Sequence, residues 1–281
     1  MVSDINRLCR CVLKDHIPAH ENKHLPRPTL DQLAGILIGS LRSAANKPDT
    51  LRSYAHLCNL GLTLGGRRAE DPSVHVQYRD MFNELLFGRT FDVRRCPVRF
   101  ISRNSTEWHV LSPLENHTHS ESRKAINSIG ILESHIIIYE DPDRTCNALQ
   151  RLRLYLGQIL HQMIHSYVNL HICCCRACTR DLHASDPLSR GGTRHDTFFL
   201  KISRSFQIFL KEEVGLKLTL DRHNAVIAEM KSSGAQVPDD HLRSLGFNPD
   251  FVRAKVQEEN ITCHLSDEEY TDAEYSETEY K

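Results

Sequence analysis

One segment, residues 144–171, constrains the fold more than any other, because its apolar residues recur at the spacing of an α-helix. The apolar positions are Leu149, Leu152, Leu156, Leu160, Met163, Ile164, Tyr167 and Val168. A helix with so broad an apolar face must bury it against other elements, so the segment predicts the central helix of a globular domain. The longest apolar runs, such as residues 136–139, are far shorter than the roughly 18 residues that span a bilayer, so we do not expect an integral membrane protein.

Periodicity elsewhere predicts an α+β fold in which a small sheet packs against helices. Further helices are predicted at residues 30–45, 49–60, 71–87 and 193–214, with weaker ones at 219–231 and 239–245. Strands are predicted at residues 91–101, 107–111 and 134–139. The last of these, SHIIIY, is the clearest strand, because a β-branched run is followed by the turn pair Asp141-Pro142.

Composition sets off the two ends of the chain. We expect an irregular N-terminal arm (1–28) and an acidic disordered tail (261–281). Residues 256–281 carry nine acidic side chains and one lysine, so residues 1–255 have a formal charge of +7 although the whole chain has −1. Such a body can contact a polyanion, but a solvated surface explains the same composition.

Ten cysteines are spread over 281 residues without a signal-peptide pattern at the start. Reduced thiols or metal ligands are therefore a better interpretation than a disulfide framework. We expect an intracellular protein of the nucleus or the cytoplasm. A hydrophobic content of 40% argues against extended disorder and fibrous classes.

Two histidines four residues apart on a helix share a face and can hold one metal ion, but 17 histidines produce about one such pair by chance. This chain has three pairs. The literal HExxH match, His20 to His24, has no apolar face and lies between Pro18 and Pro26, so we interpret it as a solvated linker. The pair His161 and His165 lies in the strongest amphipathic helix, which favours a metal site. The alternative is that the two histidines are ordinary polar residues at the rim of a core helix.

The residues around this pair resemble a known family. The segment LHQMIHSY, residues 160–167, is similar to the LHEMIHAY signature of SprT-like metalloproteases, the family of Spartan-related proteins, except at Gln162 and Ser166. Residues 81–88, MFNELLFG, resemble the family's helix-to-sheet segment, and SHIIIY resembles the strand before its active-site helix. Residues 194–199, RHDTFF, stand where the family has a GHGxxF segment. The similarity covers residues 78–215, about half of the chain. It implies a SprT-like domain over these residues, between an N-terminal helical section (29–77) and a C-terminal helical extension (216–260).

The resemblance implies a SprT-like minimal zincin fold in which His161, His165 and His195 hold one Zn²⁺ ion and leave a fourth position open. Three nitrogen ligands and an open position also suit a catalytic zinc. In the family, the glutamate at the position of Gln162 takes a proton from the zinc-bound water. An amide has no comparable basicity, so metal binding can survive while hydrolysis fails. Either a natural pseudoenzyme or a Glu-to-Gln change that inactivates the site would have this sequence.

A second departure from the family is that Arg194 and Asp196 replace the glycines that flank the third histidine. Their side chains can alter how His195 is presented. Asp196 is also a candidate for a replacement base, although a neighbour of a ligand usually points away from the metal.

Four cysteines, Cys173, Cys174, Cys175 and Cys178, lie within six residues, and the last two have zinc-ligand or redox spacing. No later C-x-x-C pair completes a structural zinc site, although His171 or His183 could complete a local one. An incidental cluster or a disulfide is the preferred interpretation.

Three functional hypotheses follow. The first is a zinc-dependent metalloprotease-type domain that acts on a protein or peptide, with weak or no activity. The second is a noncatalytic interaction module that holds a peptide in the former substrate groove and uses the acidic tail for docking. The third, a metal-free structural domain, requires that His195 does not converge with the helix pair. DNA binding is implied by the resemblance only; Arg67-Arg68 and Arg94-Arg95 are compatible with it.

Overall fold

The protein is described here from a computed structural model. The structure describes residues 30–65, 69–89, 93–111, 120–128, 131–140, 147–171, 188 and 195–258. In the described ranges no helix combines the length and the apolar character needed to cross a membrane.

Three helices precede the sheet, as the sequence predicts: α1 (Leu30–Ala45), α2 (Pro48–Gly65) and α3 (Pro72–Leu85). The second helix is longer than expected, because it continues past Leu60 through a glycine that was expected to end it. Asp71 caps α3 by accepting a hydrogen bond of 2.8 Å from the backbone N–H of Ser73. Gly88 follows α3 with a φ of 57°, a left-handed conformation that glycine adopts without strain.

The sheet has three strands, β1 (Val98–Ile101), β2 (Ser120–Ile126) and β3 (Leu132–Tyr139), in the order β1-β3-β2. β1 runs parallel to β3, with Val98 opposite Ile136. β2 runs antiparallel to β3, with Ser120 opposite Ile138. The fold class is therefore α+β, with a small mixed sheet packed against helices.

One expected strand is shorter than predicted, and another is wrong. Residues 93–95 form a 3₁₀ turn, which leaves only β1 of the expected strand 91–101. Residues 107–111 belong to a short helix, α4 (Thr106–Leu111), where Ser105 Oγ accepts a hydrogen bond from the Trp108 N–H. β2 was missed because it contains no fully buried residue and packs through serines instead of an apolar face.

The central helix α5 (Ala148–His171) is confirmed and begins four residues later than expected. α6 (Thr197–Phe209) follows it and continues into a π-helical turn (Leu210–Val214) that ends at Gly215. Three helices complete the described chain: α7 (Arg222–Ser233), α8 (Asp239–Ser244) and α9 (Pro249–Gln257). The last was not predicted, although Asn248 and Pro249 begin it with a normal cap.

The apolar face of α5 forms the centre of a core that extends from Leu33 in α1 to Val252 in α9. Successive residues of β3 point to opposite faces of the sheet. Ile136 and Ile138 belong to the main core, whereas Ile137 and Tyr139 form a smaller cluster with Ile101 on the other face. Helix α5 is thus held between the sheet and the surrounding helices, which gives its polar residues fixed positions.

Candidate metal site

Helix α5 places His161 and His165 one turn apart on the same face. The neighbouring residues Leu160, Met163 and Ile164 are completely buried, so the backbone that carries both histidines is fixed by core packing. His161 is itself buried. Because side chains at i and i+4 project together, both imidazoles reach the same space beside the helix.

The third histidine comes from the chain that enters α6. His195 directly precedes Asp196, the N-cap of that helix, whose Oδ1 accepts a hydrogen bond of 3.0 Å from the Phe199 N–H. The carboxylate of Asp196 therefore fixes the start of α6 and the backbone that presents His195. This capping role explains the acidic residue after His195 and does not support its use as a replacement base.

The three imidazoles converge through their Nε2 atoms. Nε2 of His161 lies 3.1 Å from Nε2 of His165 and 3.1 Å from Nε2 of His195. All three ligand atoms lie within 4.8 Å of one another. Two nitrogens bound tetrahedrally to one zinc at roughly 2.1 Å would lie roughly 3.4 Å apart, so the spacing suits a shared ion. The metal-free structural hypothesis requires that His195 does not converge with His161 and His165, so this geometry argues against it.

The backbone of Leu220 orients His161. Its carbonyl oxygen lies 3.0 Å from Nδ1 of His161, and a carbonyl can only accept, so the proton of the neutral ring is on Nδ1. Nε2 then has a free lone pair directed at the other two histidines. Metal-binding histidines are commonly held in this way by a hydrogen bond from the nitrogen that does not bind the metal.

Burial keeps two of the histidines neutral. It lowers the pKa of His161 to about 4, although the Leu220 carbonyl opposes this change. It also lowers the pKa of His195 to about 3, with a further contribution from His161. Neutral imidazole is the form that binds metals, so both rings are ready to act as ligands at pH 7.

Phe199 forms one side of the site. Its ring centroid lies 4.7 Å from that of His161, 4.7 Å from that of His165 and 4.8 Å from that of His195. The ring is nearly parallel to His165, at 12°. A buried aromatic ring in contact with all three imidazoles limits their rotation and excludes water from that side.

Gln162, next to His161, is turned toward the sheet. Its Nε2 donates a hydrogen bond of 3.0 Å to Ser120 Oγ at the start of β2. About two turns further along α5, Asn169 donates to Ser122 Oγ at 3.4 Å on the same face of β2. The amide of Gln162 is therefore part of the contact between α5 and the sheet.

Several residues considered in the sequence lie outside the described part of the chain. They include the His20–His24 match, Arg194, Arg67-Arg68, the tail, and the cysteine cluster of Cys173, Cys174, Cys175 and Cys178. Of the possible partners of that cluster, His171 is described, and its Nδ1 lies 2.9 Å from the Tyr167 carbonyl oxygen. Arg95 uses its Nε to donate to the Leu132 carbonyl oxygen at 2.8 Å.

Three contributors to the site were missed by sequence reasoning. Leu220 acts through its backbone, so its side chain carries no signal. Ser120 lies on the strand that was not predicted. Phe199 did carry a signal, because it follows His195 by four residues in a segment predicted as helical, but it was considered only as part of the RHDTFF segment and given no role in the site.

Comparisons of the chain with protein-family models, with curated proteins and with solved structures found no match. The site itself is therefore the observation that bears on function. Three imidazoles, one buried and two partly buried, form a group that could hold a metal ion.

Proposed function

We propose that this protein is a zinc-binding domain of the SprT-like metalloprotease type, with weak or no hydrolytic activity. The observation that carries the proposal is the convergence of the Nε2 atoms of His161, His165 and His195. The same three residues match the ligand positions of the family that residues 160–167 resemble. The α+β fold, with the sheet against the histidine-bearing helix, supports the same family.

Zinc fits this set of donors better than the hard cations do. The set offers three imidazole nitrogens, which suit zinc, whereas magnesium and calcium prefer oxygen ligands. A zinc ion bound by three protein ligands acts as a Lewis acid and activates water for attack on a carbonyl group. His161, His165 and His195 would hold the ion, and the Leu220 carbonyl would keep His161 in the required tautomer.

Gln162 argues that hydrolysis is weak. Its amide can donate and accept hydrogen bonds, but it cannot take up a proton at neutral pH. Its Nε2 is engaged by Ser120, so the side chain has a fixed structural contact instead of a catalytic one. A glutamate at this position could accept a hydrogen bond from the same serine hydroxyl, so the site can accommodate the family's base.

The contact between Gln162 and Ser120 also favours a second function, that of a noncatalytic peptide-binding module. β2 forms an edge of the described sheet and begins beside the histidine site. Peptides commonly bind by adding a strand to such an edge. In this function a protein or peptide would be held but not cut, and the acidic tail would serve for docking.

The first experiment measures the zinc-to-protein ratio of the purified full chain after exhaustive dialysis, by elemental mass spectrometry. We expect about one zinc per chain, and a loss of one in the His195→Ala variant. That variant also separates the histidine site from the cysteine cluster, which would keep its own metal. Zinc-free wild-type protein, or a zinc content that His195→Ala does not lower, would contradict the proposal.

The second experiment restores the base with Gln162→Glu and measures peptide-bond hydrolysis against wild type. Protease activity that appears in Gln162→Glu and vanishes in the Gln162→Glu, His195→Ala double variant would support the metalloprotease type. If zinc is bound and Gln162→Glu stays inactive, the peptide-binding module is the better conclusion.

A further inference from the structure

The segment that supplies Leu220 lies beside α5 and belongs to neither a helix nor a strand. Residues 216, 218 and 220 are buried leucines, whereas Lys217 and Thr219 between them are exposed. Gln207 of α6 donates a hydrogen bond of 3.1 Å from its Nε2 to the Leu218 carbonyl oxygen. The segment is thus fixed from one side by α6, and its distance from α5 is set by the residues of α5 that face it.

Gly157 is a residue of α5 that faces the backbone of Thr219. A Cβ atom added there would lie 2.2 Å from the Thr219 carbonyl oxygen and 3.3 Å from its carbonyl carbon. Because the obstacle is backbone, no side-chain rotation can relieve such a contact. Gly157 also precedes His161 by four residues, so the two residues share a face of α5.

We propose that Gly157 is a positioning residue of the metal site. Its missing side chain lets the Thr219 carbonyl lie against α5, and this places the next carbonyl, that of Leu220, within hydrogen-bond distance of His161 Nδ1. The inference rests on the proposed metal-binding function and adds to it the residue that sets the tautomer of its most buried ligand.

An alanine at position 157 would push the backbone at Thr219 outward by roughly 1 Å to reach normal van der Waals distance. The hydrogen bond from His161 Nδ1, now 3.0 Å, would then exceed the usual range. The ring would be free to rotate and to carry its proton on Nε2, where it cannot bind a metal. Loss of such an outer hydrogen bond typically weakens metal binding by about 10- to 100-fold.

The test compares zinc dissociation constants of wild type, Gly157→Ala and Gly39→Ala, by competition with a chelating dye. Gly39 is a matched control, because it is an exposed glycine of α1 and an added Cβ there meets nothing within 4 Å. We expect about 10- to 100-fold weaker binding in Gly157→Ala and wild-type binding in Gly39→Ala. Equal affinity in wild type and Gly157→Ala would overturn the inference and leave the proposed function intact.

A spectroscopic measurement tests the inference without relying on metal affinity. The ¹⁵N spectrum of histidine side chains, assigned with His161→Gln, should give a proton on Nδ1 of His161 in zinc-free wild type and a shift of that proton toward Nε2 in Gly157→Ala. An unchanged tautomer in Gly157→Ala would overturn the inference, whether or not the wild type binds zinc. A wild type that binds no zinc would instead overturn the proposed function. Should Gly157→Ala fail to fold, a proton on Nε2 of His161 in wild type would still overturn it.

Discussion

Two buried histidines of this protein, His75 and His161, have nearly the same local environment. Each has little or no exposure, and one ring nitrogen of each lies against a backbone carbonyl oxygen: 2.6 Å from Ala69 for His75 and 3.0 Å from Leu220 for His161. Burial lowers the pKa of both. Neither burial, nor a carbonyl partner, nor a lowered pKa therefore distinguishes a metal ligand from a core residue.

The difference lies in what the second ring nitrogen faces. Nδ1 of His75 has no hydrogen-bond partner within the described ranges, and its ring packs against Phe100 and Tyr155 at 5.3 and 5.8 Å between centroids. Nε2 of His161 faces two more imidazoles. A metal site is thus indicated by the convergence of lone pairs from separate elements.

The largest expected effect is that metal stabilises the protein through His161 and its partners but not through His75. At a free zinc concentration about 1,000 times the dissociation constant, binding adds about 4 kcal/mol to the free energy of unfolding. This corresponds to a rise of about 8 to 16 °C in melting temperature for a chain of this size. Thermal melting with zinc and with EDTA measures it.

His165→Ala should abolish the response to zinc, whereas His75→Phe should keep it in full. If His75→Phe also lost the response to zinc, His75 and the histidines of the site would not differ in the way that the structure indicates.

Protons, in contrast to zinc, should act on the two histidines alike. In the metal-free protein the folded-state pKa of each lies below the unfolded value of about 6.5. As the pH falls from about 6.5, the unfolded chain binds protons that the folded state does not, so the free energy of unfolding decreases. For His161 this loss ends near pH 4 and amounts to at most about 1.4 kcal/mol per pH unit.

Urea unfolding in EDTA between pH 7 and pH 4 checks the sign and the slope. His161→Gln and His75→Phe should each flatten the pH dependence, and His161→Gln should flatten it down to about pH 4. A slope that both variants leave unchanged would show that these histidines are not the groups that resist protonation in the folded state.

The sequence predicts an element of this fold when the apolar residues of that element recur at regular spacing. α5 and β3 were predictable because their apolar spacing is strong and their burial is nearly complete. β2 was not, because an edge strand that packs through Ser120 and Ser122 has no apolar alternation. Residues 107–111 were assigned to a strand on the apolar content around Trp108, and the short helix there depends on a local serine cap instead.

The three metal-binding candidates could be named from the sequence, yet their convergence could not. His75 precedes α5 by many residues and carries no pattern that separates it from a ligand. The carbonyl of Leu220 is part of a backbone whose position depends on a close contact at Gly157. Such backbone contacts arise from tertiary packing and leave no trace in residue type, except for the glycine that permits them.

The smallest expected effect concerns the stability of the fold at pH 7, where His75→Phe should change the free energy of unfolding by no more than about 1 kcal/mol. The variant loses the hydrogen bond to the Ala69 carbonyl oxygen, which costs about 1 kcal/mol, but it also removes a buried nitrogen that has no partner among the described residues. The new ring keeps the aromatic contacts with Phe100 and Tyr155.

A matched control is Tyr78→Phe, which removes one hydroxyl that is likewise buried without a partner in the described part of the chain, and should be neutral or slightly stabilising. Chemical denaturation of both variants in EDTA measures the two changes. If His75→Phe alone lowered the free energy of unfolding by more than about 3 kcal/mol, Nδ1 of His75 would have to make a hydrogen bond of its own. His75 would then resemble His161 in its second nitrogen as well, and convergence would no longer be what separates the two.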